Sequence, residues 1–313
     1  MARYSVLVPQ QIEYLAGLYD LKIDSYRPME GGAANSSFLI QAQDGKYVLT
    51  VYEDKTMDEV AAMGRILWEL EKHRFPTVVV VPTAKGDVGI ELEGKPLLVK
   101  KFIPGRVEEK LDEAMLFQIG VSMAQLHQIP APGYSSRQHP YGPEMISQFI
   151  GLDLDAEFDS WLSERRDFIE ENYPDDLPRA LIHGDLFYDN VLFQDGKLKA
   201  IIDFEEVCHY FGVFDVGMAL VGLYAQDGKF DLSDAHALVA GYLNQGRLDE
   251  SEKNALQLMV ESAAVATSCW RYWKYNYHDP TPERATKHWE MAAFADRVRR
   301  IDQERFVEEV FGG

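Results

Sequence analysis

The chain has 313 residues, of which 46% are hydrophobic, and carries a net charge of −20. This length holds one large or two ordinary domains with an ample core, and the acidity excludes a nucleic-acid-binding surface, which needs clustered Lys and Arg. Cys208 and Cys269 stand far apart in no metal or redox spacing, the opening MARYSVLVPQQ lacks a signal-peptide core, and no apolar run reaches a membrane span. A soluble protein of the reducing cytoplasm is the resulting expectation, with no membrane or nucleic-acid partner.

Taken in order, Pro9 to Tyr19 has Ile12, Leu15 and Leu18 at helical spacing. Strands are predicted at Leu21 to Tyr26, Ser37 to Gln41 and Lys46 to Tyr52, with Asp44-Gly45 as a tight hairpin turn. The connection Met29 to Ser36 contains Gly31, Gly32, Asn35 and Ser36. Its small residues allow backbone N–H groups to approach nucleotide phosphates, and a plain turn is the alternative. Thr56 to Arg74 carries the apolar stripe Val60, Met63, Leu67 and Leu70 of a long helix. Glu59 falls in its first turn, where a carboxylate meets the helix dipole; pairing with a catalytic lysine is the rarer role. Three further strands follow at Val78 to Val81, Gly89 to Leu92 and Leu97 to Phe102.

Residues 1–102 thus read as a small α+β lobe of antiparallel strands with one helix inserted. Ile103-Pro104-Gly105 breaks the pattern, and 103–106 is expected to be a hinge. Residues 107–313 read as mainly helical. Helices are predicted from Leu111 to about Gln128, Phe158 to Tyr173, Val213 to Ala225, Ser233 to Asn244, Glu250 to Tyr275, and Pro282 to Val310. A Pro- and Gly-rich loop spans Pro130 to Pro143.

The chemistry concentrates in LIHGDLFYDNVLFQDGKLKAIIDF, Leu181 to Phe204. His183, Asp185 and Asn190 have the spacing His-x-Asp-x-x-x-x-Asn, followed by a hairpin about Asp195-Gly196 that ends on Asp203. This spacing matches a kinase catalytic loop, with Gly184 where the Arg would stand, and Asp203-Phe204-Glu205 where Asp-Phe-Gly would stand. Asp185 is suited to orient an attacking hydroxyl and take its proton. Asn190 and Asp203 are hard oxygen ligands for Mg²⁺. His183 is read as support for the loop. No Gly-Lys pair is followed by Ser or Thr, so there is no Walker A loop, and no Gly-x-Gly occurs. A nucleotide is therefore expected in a cleft between the two lobes.

These residues resemble the aminoglycoside-phosphotransferase and choline-kinase family, and within it the homoserine-kinase branch. The likeness rests on Asp185 to Phe193, on Glu30 to Phe38, on Leu49-Thr50-Val51-Tyr52-Glu53 and on Phe214-Asp215-Val216-Gly217. It implies the two-lobed protein-kinase-like fold, with Asp185 as base and Asn190 and Asp203 holding Mg²⁺ for ATP. The phosphate-binding lysine of the third strand is replaced by Thr50. Lys46, Lys100 and Lys101 are the neighbouring cations.

The resemblance implies a kinase for the hydroxyl of a small amine-bearing metabolite, with L-homoserine foremost. Choline, ethanolamine, an aminoglycoside or another amino alcohol is the alternative, as is a catalytically silent nucleotide-binding module. An amino-acid acceptor needs a cation for its carboxylate, and Arg271 is the expected fork; core packing with a snorkelling head is the other reading. Glu205, with Glu206 beside it, is the expected partner of the ammonium group; loop acids at the lobe surface are the other reading. A monomer or homodimer is expected.

Overall fold

The computed structural model describes residues 5–29, 35–140, 142–152, 154–224 and 230–312. The chain divides into two compact units, one of Met1–Gly105 with Lys199–Ile202, the other of Arg106–Leu198 with Asp203–Gly313.

The first unit comprises α1 (Pro9–Tyr19), β1 (Ile23–Pro28), β2 (Ser36–Ala42), β3 (Gly45–Val51), α2 (Met57–Lys72), β4 (Val80–Val81), β5 (Ile90–Leu92) and β6 (Lys95–Lys101). Its sheet has the order β1-β2-β3-β6-β4, with β5 added to β6, and the pairs are antiparallel. Alternation along the strands sends Phe38, Ile40, Leu49, Val51, Leu97 and Val99 into one core with Ile12, Leu15 and Tyr19 of α1. The helix α2 starts on a capping box. Glu59 accepts from the Thr56 backbone N–H at 2.7 Å and from its hydroxyl at 2.6 Å, while Thr56 accepts from the Glu59 N–H. Those bonds to Thr56 hold the Glu59 carboxyl below its usual value, and the residue is a helix cap. The strand expected from Val78 shortens to Val80–Val81, where the indole of Trp68 on α2 donates to the Val80 carbonyl.

The second unit contains β7 (Arg106–Val107), α3 (Glu113–His127), α4 (Pro143–Ile146), α5 (Ala156–Asn172), β8 (Arg179–Ile182), β9 (Val191–Gln194) and the first residues of β10 (Lys197–Ile201). It continues with β11 (Cys208–Phe211), α6 (Gly212–Tyr224), α7 (Leu232–Gln245), α8 (Glu250–Trp273), α9 (His288–Arg299) and α10 (Gln303–Phe311). Five of these helices, α3, α5, α7, α8 and α10, open on an aspartate whose side chain accepts a first-turn N–H, so part of the acidity caps helices. The helices α3 and α7 cross at Gly241, where a Cβ would stand 2.1 Å from the Phe117 carbonyl oxygen. Only glycine permits that approach.

The helix expected from Pro282 to Val310 is broken. Asp302 takes the Arg305 N–H at 3.0 Å and starts α10 afresh, so a local cap overrides a continuous apolar stripe. The strands β7, β8 and β11 were not foreseen. Among the described residues no helix is long and apolar enough to cross a membrane.

Candidate active site

The strand β8 pairs antiparallel with β11, Ile182 opposite Cys208, and delivers the chain to His183. The backbone then turns sharply. Gly184 sits at φ +83°, and a Cβ there would meet the Glu206 carbonyl oxygen at 2.7 Å and His139 Nε2 at 2.8 Å. That crowding explains why the Arg of the general kinase pattern is absent at this position.

A carboxylate beneath the turn holds it. Asp215, in the first turn of α6, is fully buried. It accepts the His183 N–H at 3.0 Å, the Gly184 N–H at 2.7 Å and His127 Nε2–H at 3.0 Å. His127 Nδ1 in turn meets the Tyr242 hydroxyl at 2.9 Å, so α3, α6 and α7 all brace one turn. Burial alone would raise the Asp215 carboxyl. The bond to His127, the neighbouring imidazoles of His127 and His183 and the Gly184 N–H outweigh it, and the group titrates below its usual value. His183 is buried against Phe204, ring centroids 4.6 Å apart, and its Nδ1 accepts the Asp185 N–H at 3.2 Å. It shapes the loop and presents Asp185.

Asp185 is half-exposed, yet protein atoms hem it in so closely that desolvation is the largest influence on its carboxyl. The charges of Asp203, Glu206, Asp189 and Glu205 push the same way, and its pKa stands well above the carboxylate norm. The repulsion shows that five acids converge here. Asn190 ends a 3-10 turn, Tyr188–Asn190, and its side-chain amide donates to the Asp185 carbonyl at 2.9 Å. Because that partner is an acceptor, the amide nitrogen must face it, and the amide oxygen is the end presented to a ligand. Asp203 is exposed and lies at φ +69°, a conformation costing a non-glycine residue about 1–3 kcal/mol and concentrated at functional sites.

Among the described residues, no three His, Cys, Asp or Glu side chains make a metal cage on their own. Mg²⁺ does not need one, since it is usually held by one or two protein oxygens together with phosphates and water. One amide oxygen and one carboxylate amid mutually repelling acids is a donor set that fits Mg²⁺ bound with a nucleotide.

Gly31 and Gly32 fall outside the described residues. The side chains of Asn35 and Ser36 turn toward Glu53, with Asn35 Oδ1 accepting the Glu53 N–H at 3.3 Å and Ser36 Oγ donating to Glu53 Oε1 at 2.5 Å. Glu53 also pairs with Lys95. Glu205 joins the acids around Asp185. Arg271, near the end of α8, is mostly buried and donates to the Lys287 carbonyl and to Glu290, each at 3.3 Å, so these bonds run to the α9 side. One turn of π-helix, Lys274–His278, follows it. Four residues of the site had no role assigned from sequence: Asp189, His127, His139 and Asp215. Only Asp215 had a signal, inside the Phe-Asp-Val-Gly segment.

Residues 25–251 match the phosphotransferase enzyme family. The chain belongs to that family. A homoserine kinase of Caulobacter vibrioides is 31% identical over 281 residues, covering 85% of this chain and 87% of the relative. Amicoumacin kinase hAmiN, solved with AMP-PNP, Ca²⁺ and Ami, superposes with a TM-score of 0.77 at 14% identity, covering 96% of this chain and 97% of the other. A microcompartment-associated aminopropanol kinase gives 0.71 at 20%, covering 96% and 98%. This member of the phosphotransferase family therefore has the α+β protein-kinase-like fold, with an antiparallel-sheet unit and a mainly helical one. It is a small-molecule kinase whose acceptor is an alcohol.

Removing the brace tests the geometry. Asp215→Ala strands two buried N–H groups and His127, and is expected to cost roughly 3–5 kcal/mol in urea unfolding at pH 7, as for other broken buried charge networks. The folded-state pKa lies below the unfolded one, so the carboxylate's contribution is complete at neutral pH and fades as pH falls through that depressed value. The gap between parent and variant should narrow in acid; a gap that widens would refute the assignment.

Proposed function

We propose that this kinase transfers the γ-phosphoryl group of Mg²⁺-ATP to the hydroxyl of L-homoserine. The observation carrying the acceptor is the 31% identity with a homoserine kinase along nearly the whole chain. The convergence of Asp185, Asn190 and Asp203 supports the reaction.

Asp185 orients the acceptor hydroxyl and takes its proton as the oxygen attacks. Asn190 Oδ1 and Asp203 would hold the metal ion, which would supply positive charge against the nucleotide phosphates and against the acid cluster around Asp185. Asp185→Asn is expected to lower turnover at least about a hundredfold while leaving nucleotide affinity nearly intact. Turnover within a few-fold of the parent removes Asp185 from the role.

Strand register singles out one lysine to replace the cation missing at Thr50. Thr50 pairs with Leu98 and Val48 with Lys100, so Thr50 and Lys100 share a sheet face and lie two residues apart along it. Lys46 shares that face four residues from Thr50 and is exposed, whereas Lys101 pairs with Tyr47 on the opposite face. Lys100, half-buried beside the Tyr52 ring, is the proposed phosphate cation. Calorimetry should separate the two contacts. Lys100→Met weakens ATP binding with and without Mg²⁺ alike, whereas Asp203→Ala weakens mainly the metal-dependent part. The same pattern in both variants would remove one assignment.

For the acceptor, Arg271 is the proposed carboxylate fork, shared with Glu290, and Glu205 the partner of the ammonium group. A lysine cannot bond both carboxylate oxygens in the same plane. Arg271→Lys is then expected to raise KM for homoserine about tenfold or more, the worth of a charged hydrogen bond, with KM for ATP almost unchanged. Homoserine kinetics that survive both Arg271→Lys and Arg271→Ala rule this site out. ADP release measured with homoserine, choline, ethanolamine and kanamycin tests the substrate itself. A preference for any of the last three ends the homoserine reading.

A further inference from the structure

The loop between α3 and α4 sends one side chain into the catalytic turn. His139 is buried, and its Nε2 lies 3.0 Å from the Gly184 carbonyl oxygen. A carbonyl only accepts, so Nε2 carries the proton and donates. The ring is fixed from two further sides, by Phe214 at 4.9 Å and Tyr210 at 5.9 Å between centroids. Its loop is tied down on both sides of it as well. The His209 N–H donates to the Ser136 carbonyl at 2.7 Å, and the Gly142 N–H to the carbonyl of His139 at 3.1 Å.

We propose that His139 is a positioning residue for phosphoryl transfer, donating from Nε2 to Gly184 and so holding the turn that presents Asp185. The two faces of that peptide turn are held by different groups. Asp215 takes the N–H groups of His183 and Gly184, and His139 takes the carbonyl that follows. With both ends fixed, Gly184 keeps its left-handed conformation and the next residue, Asp185, keeps one direction. The space filled by the imidazole is the space a side chain at position 184 would need, so the glycine and the histidine are one adaptation. Burial pushes the imidazole down to about 4, against a smaller upward pull from the Gly184 carbonyl and Asp215, which keeps it a neutral donor at physiological pH.

The inference rests on Asp185 acting as the base, and the test separates the two. In steady-state kinetics with Mg²⁺-ATP and the best acceptor, His139→Asn has an amide too short to reach Gly184, and His139→Phe keeps a ring but no donor. Both are expected to lose about tenfold or more in kcat with KM for ATP within twofold. His139→Gln, whose amide nitrogen reaches the Nε2 position, should recover kcat to within about threefold of the parent. Parent-like kcat in the Asn and Phe variants, alongside an inactive Asp185→Asn, overturns the role of His139 and leaves the base standing. A Gln variant as slow as the Asn variant, with losses that follow thermal stability, also overturns it, since the histidine then only packs. Parent-like turnover of Asp185→Asn instead removes the base.

Discussion

The turn from His183 to Asp185 depends on a carboxylate buried beneath it. Asp215 is fully buried, and a bare charge there would be costly unless every lone pair found a donor. It finds three: two consecutive backbone N–H groups and one imidazole. Its place in the first turn of α6 adds the favourable end of the helix dipole. Because consecutive N–H groups can point at one acceptor only in a tight turn, the carboxylate dictates the backbone from His183 to Asp185. The polar network also reaches Tyr242 through His127, so the turn's geometry is set by how α3, α6 and α7 pack.

That packing leaves the reactive side with the opposite problem. Asp189, Asp203, Glu205 and Glu206 all set negative charge against Asp185, which protein atoms already surround. A fold selected only for stability would have thinned this cluster. Retaining it, with Asp203 in a strained left-handed conformation, makes sense for a site completed by positive charge. The two carboxylates Asp215 and Asp185 thus differ in kind: one is satisfied by protein donors and titrates low, the other is left short of them and titrates high.

Much of this was legible in the sequence, and the limits have physical causes. The strand β2 alternates cleanly, with one face in the core shared with α1. The strands β3 and β6 read as short apolar runs because their central residues are buried on both faces, and α2 shows a full apolar stripe. The strands β8 and β11 are four residues each and buried on most sides, too short for any period to show. The spacing from His183 to Asn190 is local, so Asp185, Asn190 and Asp203 could be named as a set. His127 and His139 reach the turn from 88 residues before Asp215 and 45 before Gly184. A contact across that distance leaves no periodic trace. Glu59 illustrates the reverse: the commoner of its two roles, an ordinary first-turn acid, is the one the bonds to Thr56 support.

The departures from the general kinase pattern follow a common logic. At position 184 the Arg is absent because a histidine from a separate loop occupies its space, and the backbone gains a donor to its carbonyl in exchange. At position 50 the lysine is absent from a strand whose neighbour carries Lys100 on the same face. In each case a residue from another element lies beside the position where the motif's side chain is missing. What the chemistry requires is a donor or a charge at a point, and a packed fold can supply that point from more than one strand or loop. The spacing of a motif therefore constrains the residues that must move together with the reacting backbone, Asp185 and Asn190, more tightly than those that only have to reach it.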